Sequence, residues 1–230
     1  MQAEDAIRGL ITAIDRYLES LDGEEGREGR TDIRAAIARA SGEPYSGMEP
    51  ATLPPVEAHF KRAVAVTEAQ GQQALARAFE EAAPHLTWVT YNAYDPAKIG
   101  PAFGSGHAFA SLIGEASVFY GKDFELGIFL IAPHTFYRDH HHPAPELYAP
   151  VTGPHGWRFG AGTEFEWRDA HLPVWNEANR VHATMTGEEP FLCIFGWTKD
   201  VRLPAVTIPS DDWDAIDESL ADRKGGAKSA

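Results

Sequence analysis

Residues 137–153 read YRDHHHPAPELYAPVTG. Three imidazoles, a carboxylate just beyond them and a phenol on each side are groups that hold a divalent cation and move protons. On a β-strand, residues i and i+2 share a face. His140 and His142 then project together, while His141 points the other way. Glu146 follows past Pro143 and Pro145, which shape the backbone, and can bring a carboxylate to the same point. Imidazole with carboxylate suits Zn, Fe, Mn, Co or Ni, and the absence of thiolate removes one strong zinc signal. The single cysteine, Cys193, lies in an apolar run and reads as core.

The spacing H-x-H-x3-E-x6-G, closed by Gly153, resembles the first metal motif of the cupin barrels. That resemblance implies a further ligand from a later strand. The downstream histidines are His155, His171 and His182. His182 fits best, because Asn179 stands where the second cupin motif, P-x-G-x2-H, has glycine, and asparagine tolerates a left-handed backbone. Glu177 replaces that motif's proline. The expected set is His140, His142, Glu146 and His182 around one divalent transition metal ion, with positions open to substrate. His141, His155 and His171 read as ordinary hydrogen-bonding residues.

Tyr148 lies two residues past Glu146 and shares its face; Tyr137 lies three before His140. A phenol titrates near pH ~10. A neighbouring dication favours the phenolate, which can then act as a general base. The combined pattern Y-x2-H-x-H-x3-E-x-Y resembles the cupin-type dimethylsulfoniopropionate (DMSP) lyases. The length, the helical start and HHHPAPELYAPVTG look most like the DddL branch. The likeness is best over the barrel, from about residue 120 to 200. It implies metal-dependent cleavage of a small zwitterionic sulfonium substrate to acrylate and dimethyl sulfide. Carried over, the His and Glu residues would be ligands, Tyr148 the base, and Tyr137 a substrate-holding residue. Trp197 would stand where a related lyase has a pocket tryptophan. The sulfonium needs an apolar, electron-rich wall, for which Trp88, Tyr91, Phe136, Trp175 and Trp197 are candidates. Two other readings keep the metal site: an Fe(II) cupin dioxygenase, and a cupin that senses a small ligand without turnover.

These residues need a scaffold. The 230 residues, 43% hydrophobic, suffice for one full core. Ile7, Leu10, Ile11, Ile14, Leu18 and Leu21 recur at helical steps. DGEEGREGR breaks that helix, and Thr31-Asp32 offers an N-cap for IRAAIARA. Residues 41–55, with four prolines and two glycines, predict a loop. A long helical pattern then runs from Val56 to Pro84. Beyond it, LTWVTY, HAFASLIG, ELGIFLIAP, ELYAPVTG, GWRFG, TEFEWRD and FLCIFGW are short, β-branched and aromatic. The expected fold is mainly β, a cupin jelly-roll barrel (double-stranded β-helix), in three parts. Residues 1–84 form a helical region packed on the barrel, 85–222 the barrel with the metal site, and 223–230 a flexible tail. A net charge of -14 without a basic stripe argues against nucleic acid. No apolar run is long enough to span a membrane. A lone cysteine and an acidic N-terminus unlike a signal peptide suggest the cytoplasm. Pairing into a homodimer is compatible with strand edges and accessory helices.

Overall fold

A computed structural model of the chain describes residues 3–40 and 49–226. Helix α1 (Ala3–Ser20) buries Ile7, Leu10, Ile11, Ile14 and Leu18, the stripe its periodicity requires. Helix α2 (Arg27–Arg39) begins earlier than expected. Its N-cap is Gly26 at φ 70°, and Thr31 lies inside the helix, its hydroxyl bonded to the Arg27 carbonyl at 2.9 Å. Gly29 is therefore a spacer rather than a breaker: a Cβ there would lie 2.3 Å from Cζ3 of Trp175. The long pattern after it is two helices, α3 (Pro54–Ala69) and α4 (Gln73–Ala82). Gly71, at φ 93°, turns the chain between them. Pro54 and Pro55 open α3 because a first turn leaves its N–H groups free of helical partners. They were expected in the loop, of which residues 41–48 lie outside the described residues.

LTWVTY forms only single bridges, Thr87 to Ala51 and Val89 to Phe109, rather than a strand. Two short helices follow within the β region, α5 (Pro96–Ile99) and α6 (Pro101–Gly106). The Asp95 carboxylate caps α5 by accepting from the Ala97 N–H at 3.0 Å.

The strands are β1 (His107–Gly114), β2 (Phe119–Tyr120), β3 (Glu125–Ile131), β4 (Phe136–His141), β5 (Glu146–Pro150) and β6 (His155–Phe159). Then come β7 (Glu166–Arg168), β8 (Val174–Asn176), β9 (His182–Thr186), β10 (Phe191–Trp197) and β11 (Val206–Thr207). They form two sheets, ordered β2-β1-β3-β10-β5-β8 and β11-β4-β9-β6-β7. Helix α7 (Trp213–Gly226) closes the described chain, so residues 223–226, expected in the tail, are helical; residues 227–230 lie outside the description. Among the described residues no helix is long and apolar enough to cross a membrane.

The layers explain why ELGIFLI and FLCIFGW are almost continuously apolar. Both faces of the first sheet are buried. Leu126, Ile128, Leu130, Leu192 and Ile194 join the core under α1, α3 and α4. Phe129, Ile131, Phe191, Cys193 and Phe195, the alternate residues, face the barrel interior with Tyr137, Tyr148 and Trp157. On the outer face of the second sheet, Trp213 and Leu220 of α7 cover Phe136 and Ala183. A buried ion pair fastens that face: Arg158 Nε donates to Asp139 at 2.9 Å, and Trp213 Nε1 donates to the same carboxylate at 2.7 Å.

Candidate metal centre and active site

Strands β4 and β9 are neighbours, and their register sets His140 opposite His182. The turn before β9 passes through Asn179 at φ 62°, the left-handed conformation its position in the motif requires. The Asn179 N–H donates to the His142 carbonyl at 2.8 Å, which ties that turn to the end of β4. Three rings thus come together, with ligand nitrogens within 4.8 Å of one another, all buried.

Each ring is held from behind by a main-chain carbonyl. Nδ1 of His140 lies 2.8 Å from the Arg138 carbonyl, Nδ1 of His142 2.7 Å from that of Ala144, and Nδ1 of His182 2.8 Å from that of Arg180. A carbonyl only accepts, so each Nδ1 carries the proton and each Nε2 lone pair points inward. Nε2 of His140 and of His182 are buried without a hydrogen-bond partner among the described residues. Burial, then the adjacent His142, lowers the His140 pKa to about 3, and burial with its two neighbours pushes His182 well below the ordinary range. Both imidazoles are neutral, the form that ligates metals.

Glu146 supplies the carboxylate from the opposite sheet. It is the first residue of β5, so HHHPAPELY spans two strands rather than one strand and a turn. Its Oε2 lies 2.9 Å from Nε2 of His142 and 3.7 Å from Nε2 of His182. Burial lowers the His142 pKa, but the Glu146 carboxylate outweighs it and the net shift is upward. The other oxygen, Oε1, accepts from Trp197 Nε1 at 2.7 Å. Two neutral inward-facing nitrogens, a third beside a carboxylate, and no Lys or Arg at that carboxylate among the described residues fit one divalent ion.

The site opens into a cavity of about 280 Å³ lined by Tyr148, Tyr137, Trp197 and further aromatics. Tyr148 is buried there against Trp157, with ring centroids 5.0 Å apart. Burial, then the nearby Glu146, pushes its phenol well above the ordinary range. Tyr137 stacks between Phe103 and His140, at 3.9 and 4.0 Å, and its hydroxyl meets that of Tyr94 at 2.6 Å.

The remaining histidines stand apart. His141 pairs toward β11; His155 Nδ1 accepts from Trp157 Nε1 at 2.7 Å; His171 Nδ1 bonds the Tyr17 hydroxyl at 2.9 Å. Among the candidate wall residues, Tyr91 and Trp197 line the cavity. Trp88 packs on Phe60, Phe136 on Phe165, and Trp175 over Gly29 instead. Sequence reading missed Tyr94, Phe109, Phe129, Phe195 and Glu125 as lining residues. Counting back by twos from Trp197 would have reached Phe195; the others depend on register between strands.

The DMSP lyase (dimethylsulfoniopropionate lyase) family model matches residues 28–193, well over half of the chain. The chain belongs to the DMSP lyase family. It is a carbon–sulfur lyase, which sets aside the dioxygenase and the non-catalytic sensor. A protein of Cereibacter sphaeroides assigned as the DMSP lyase DddL is 28% identical over 172 residues, 73% of this chain and 68% of the relative. The structure of the DMSP lyase DddQ from Ruegeria pomeroyi DSS-3 superposes with TM-score 0.69 at 20% identity, covering 90% of this chain and 98% of DddQ. A chain from the crystal structures of the DMSP lyases RdDddP and RnDddQII gives TM-score 0.68 at 19% identity, covering 90% and 100%. At such identities the shared property is the fold, and this DMSP lyase is of the cupin type.

Proposed function

We propose that this lyase cleaves DMSP by metal-assisted β-elimination, with His140, His142, Glu146 and His182 as ligands and Tyr148 as the base. The observation that carries the reading is the convergence of three Nδ1-anchored histidines, two of them within reach of the Glu146 carboxylate, beside a phenol in an aromatic cavity. When bound, the dication supplies positive charge that neutralises the substrate carboxylate, stabilises enolate-like charge and favours the phenolate of Tyr148.

The chain's own residues do the rest. Tyr148 shares its strand face with Glu146, so its oxygen borders the ligand set and the α-carbon of a carboxylate held there. It takes the α-proton and becomes a neutral phenol. The C–H pair becomes the carbon–carbon double bond, the C–S bond breaks, and its electrons leave on sulfur as dimethyl sulfide; acrylate remains. Tyr137, braced by Tyr94 and by the stack on His140, fixes one wall. Trp197, Phe195 and Tyr91 offer aromatic faces and keep water from the sulfonium.

The test is Tyr148→Phe, with dimethyl sulfide measured in the headspace above purified protein and DMSP. General-base loss typically costs about 10²–10⁴-fold. The expected result is that loss with metal content unchanged by elemental analysis. Full activity in the variant would remove Tyr148 from the mechanism.

A further inference from the structure

The cavity holds a carboxylate that the elimination does not use. Glu125 opens β3 and pairs with Trp197 of β10, which in turn pairs with Glu146 of β5. Directly paired residues project from the same face of a sheet. A row therefore crosses the cavity wall: Glu125, Trp197, Glu146. Its two carboxylates stand two strand spacings apart, about 10 Å at the backbone. The row beneath is Gly127, Phe195 and Tyr148. Gly127 is where it is for space: a Cβ would lie 2.6 Å from Cε1 of Phe195, so the missing side chain lets that ring lie over the backbone of β3 next to Glu125.

The charges in the cavity are not alike in their commitments. Glu146 is engaged by His142 and Trp197. Arg202, also on the rim, is bound to Glu115 at 2.5 Å. Glu125 accepts a short hydrogen bond from the Ser111 hydroxyl and forms no salt bridge among the described residues. Burial raises its carboxyl pKa, against the Ser111 bond, and Glu146 adds to the rise. A half-buried carboxylate with one neutral donor and no cation among the described residues is an expensive arrangement unless a ligand brings the positive charge.

We propose that Glu125 is the counter-ion for the sulfonium group of the substrate and the residue that selects a cationic sulfur over a neutral one. The proposal rests on the DMSP reading above. With the substrate carboxylate at the Glu146 end of the row, its three-carbon chain runs over Trp197 and Phe195, and the sulfonium arrives at the Glu125 end. Methylated sulfur offers no hydrogen-bond donor, so charge and aromatic faces are what can recognise it. Elimination converts the cation into neutral dimethyl sulfide. Glu125 then attracts substrate but neither product, which favours release after each turnover.

The test compares Glu125→Gln and Glu125→Asp with the wild-type enzyme, all fully metal-loaded. Two compounds are used: DMSP, and methylthiopropionate, the same chain with a neutral thioether, as a competitive inhibitor. A partly desolvated charge pair predicts a rise of about tenfold or more in KM for DMSP in Glu125→Gln. The smaller Glu125→Asp effect follows from the retained charge. Inhibition by methylthiopropionate should be unchanged in both variants, as should metal content. A KM within twofold of wild type would overturn the proposal. So would equal weakening of both compounds, which marks a merely structural role. If no form of the enzyme releases dimethyl sulfide, the DMSP reading fails instead. Calorimetric binding of the two compounds then still decides whether Glu125 selects the cation.

Discussion

Trp197 was singled out as a pocket residue, and its indole nitrogen gives it a second task that can be separated from the first. Nε1–H donates to Glu146 Oε1 at 2.7 Å, while the ring lies 4.7 Å from that of His142. Trp197→Phe removes the donor and keeps an aromatic face in the cavity. Glu146 is 3% exposed, so water does not readily replace the lost bond. A hydrogen bond to a charged group is worth about 1.5–3 kcal/mol, or about 10- to 100-fold in an equilibrium constant. Losing a partner that orients a ligating carboxylate costs metal affinity in the same range, about 10- to 100-fold. The assay is competition for Zn²⁺ or Co²⁺ between metal-free protein and a chromophoric chelator, wild type against variant. Activity in the variant should recover as metal is raised, with KM for DMSP little changed, because the aromatic wall survives. Wild-type metal affinity in Trp197→Phe would refute the reasoning and leave Trp197 as wall alone. A KM increase that excess metal does not correct would reverse the order of its two tasks.

Two further outcomes follow from the same geometry. Glu146→Ala removes the single carboxylate among the candidate ligands, so metal content by elemental analysis and dimethyl sulfide release should fall together; unchanged occupancy would exclude Glu146 from the set. His155, away from the metal centre, is held neutral: burial, then the Arg168 charge, lowers its pKa from an ordinary 6.5 to about 4. The unfolded chain takes up that proton first as pH falls, so the stability it contributes is present above pH 6.5 and is lost toward pH 4. The change amounts to about 3 kcal/mol over that interval. Glutamine at this position retains an acceptor for Trp157 Nε1 and cannot titrate. Urea unfolding of metal-free His155→Gln should therefore vary less with pH than wild type, and parallel profiles would contradict the burial account.

Much of the site was legible because it depends on local rules. Alternation separates His140 and His142 from His141, and a left-handed Asn179 follows from its place in the motif. What was not legible depends on distant partners. The same glycine signal that marks a turn at Gly71 marks a packing gap at Gly29, and only Trp175, far along the chain, distinguishes them. Trp88 and Phe136 have the composition of a pocket wall, yet the layers on the outer faces of the two sheets claim them. Glu125 looks like the polar first residue of a strand until the register of β3 on β10 brings it beside Trp197. The start of α2 is hidden in the sequence because its N-cap is a glycine without a side-chain bond, while Thr31-Asp32 offers the stronger local signal inside the helix.

The candidate donor set draws on both halves of the barrel: His140 and His182 from the β4–β9 sheet, His142 just past the end of β4, and the Glu146 carboxylate from the β5–β10 sheet. An ion held between them would consequently be a clasp across the sandwich. Its affinity would add to the cohesion of the fold, by about 2.7 kcal/mol when free metal is a hundredfold above the dissociation constant. Without an ion that cohesion would be missing, and the Nε2 atoms of His140 and His182 have no hydrogen-bond partner among the described residues. Metal scarcity would thus tell first on the lifetime of the folded protein, through slackened contact between its two sheets, and the surviving molecules would be those already loaded.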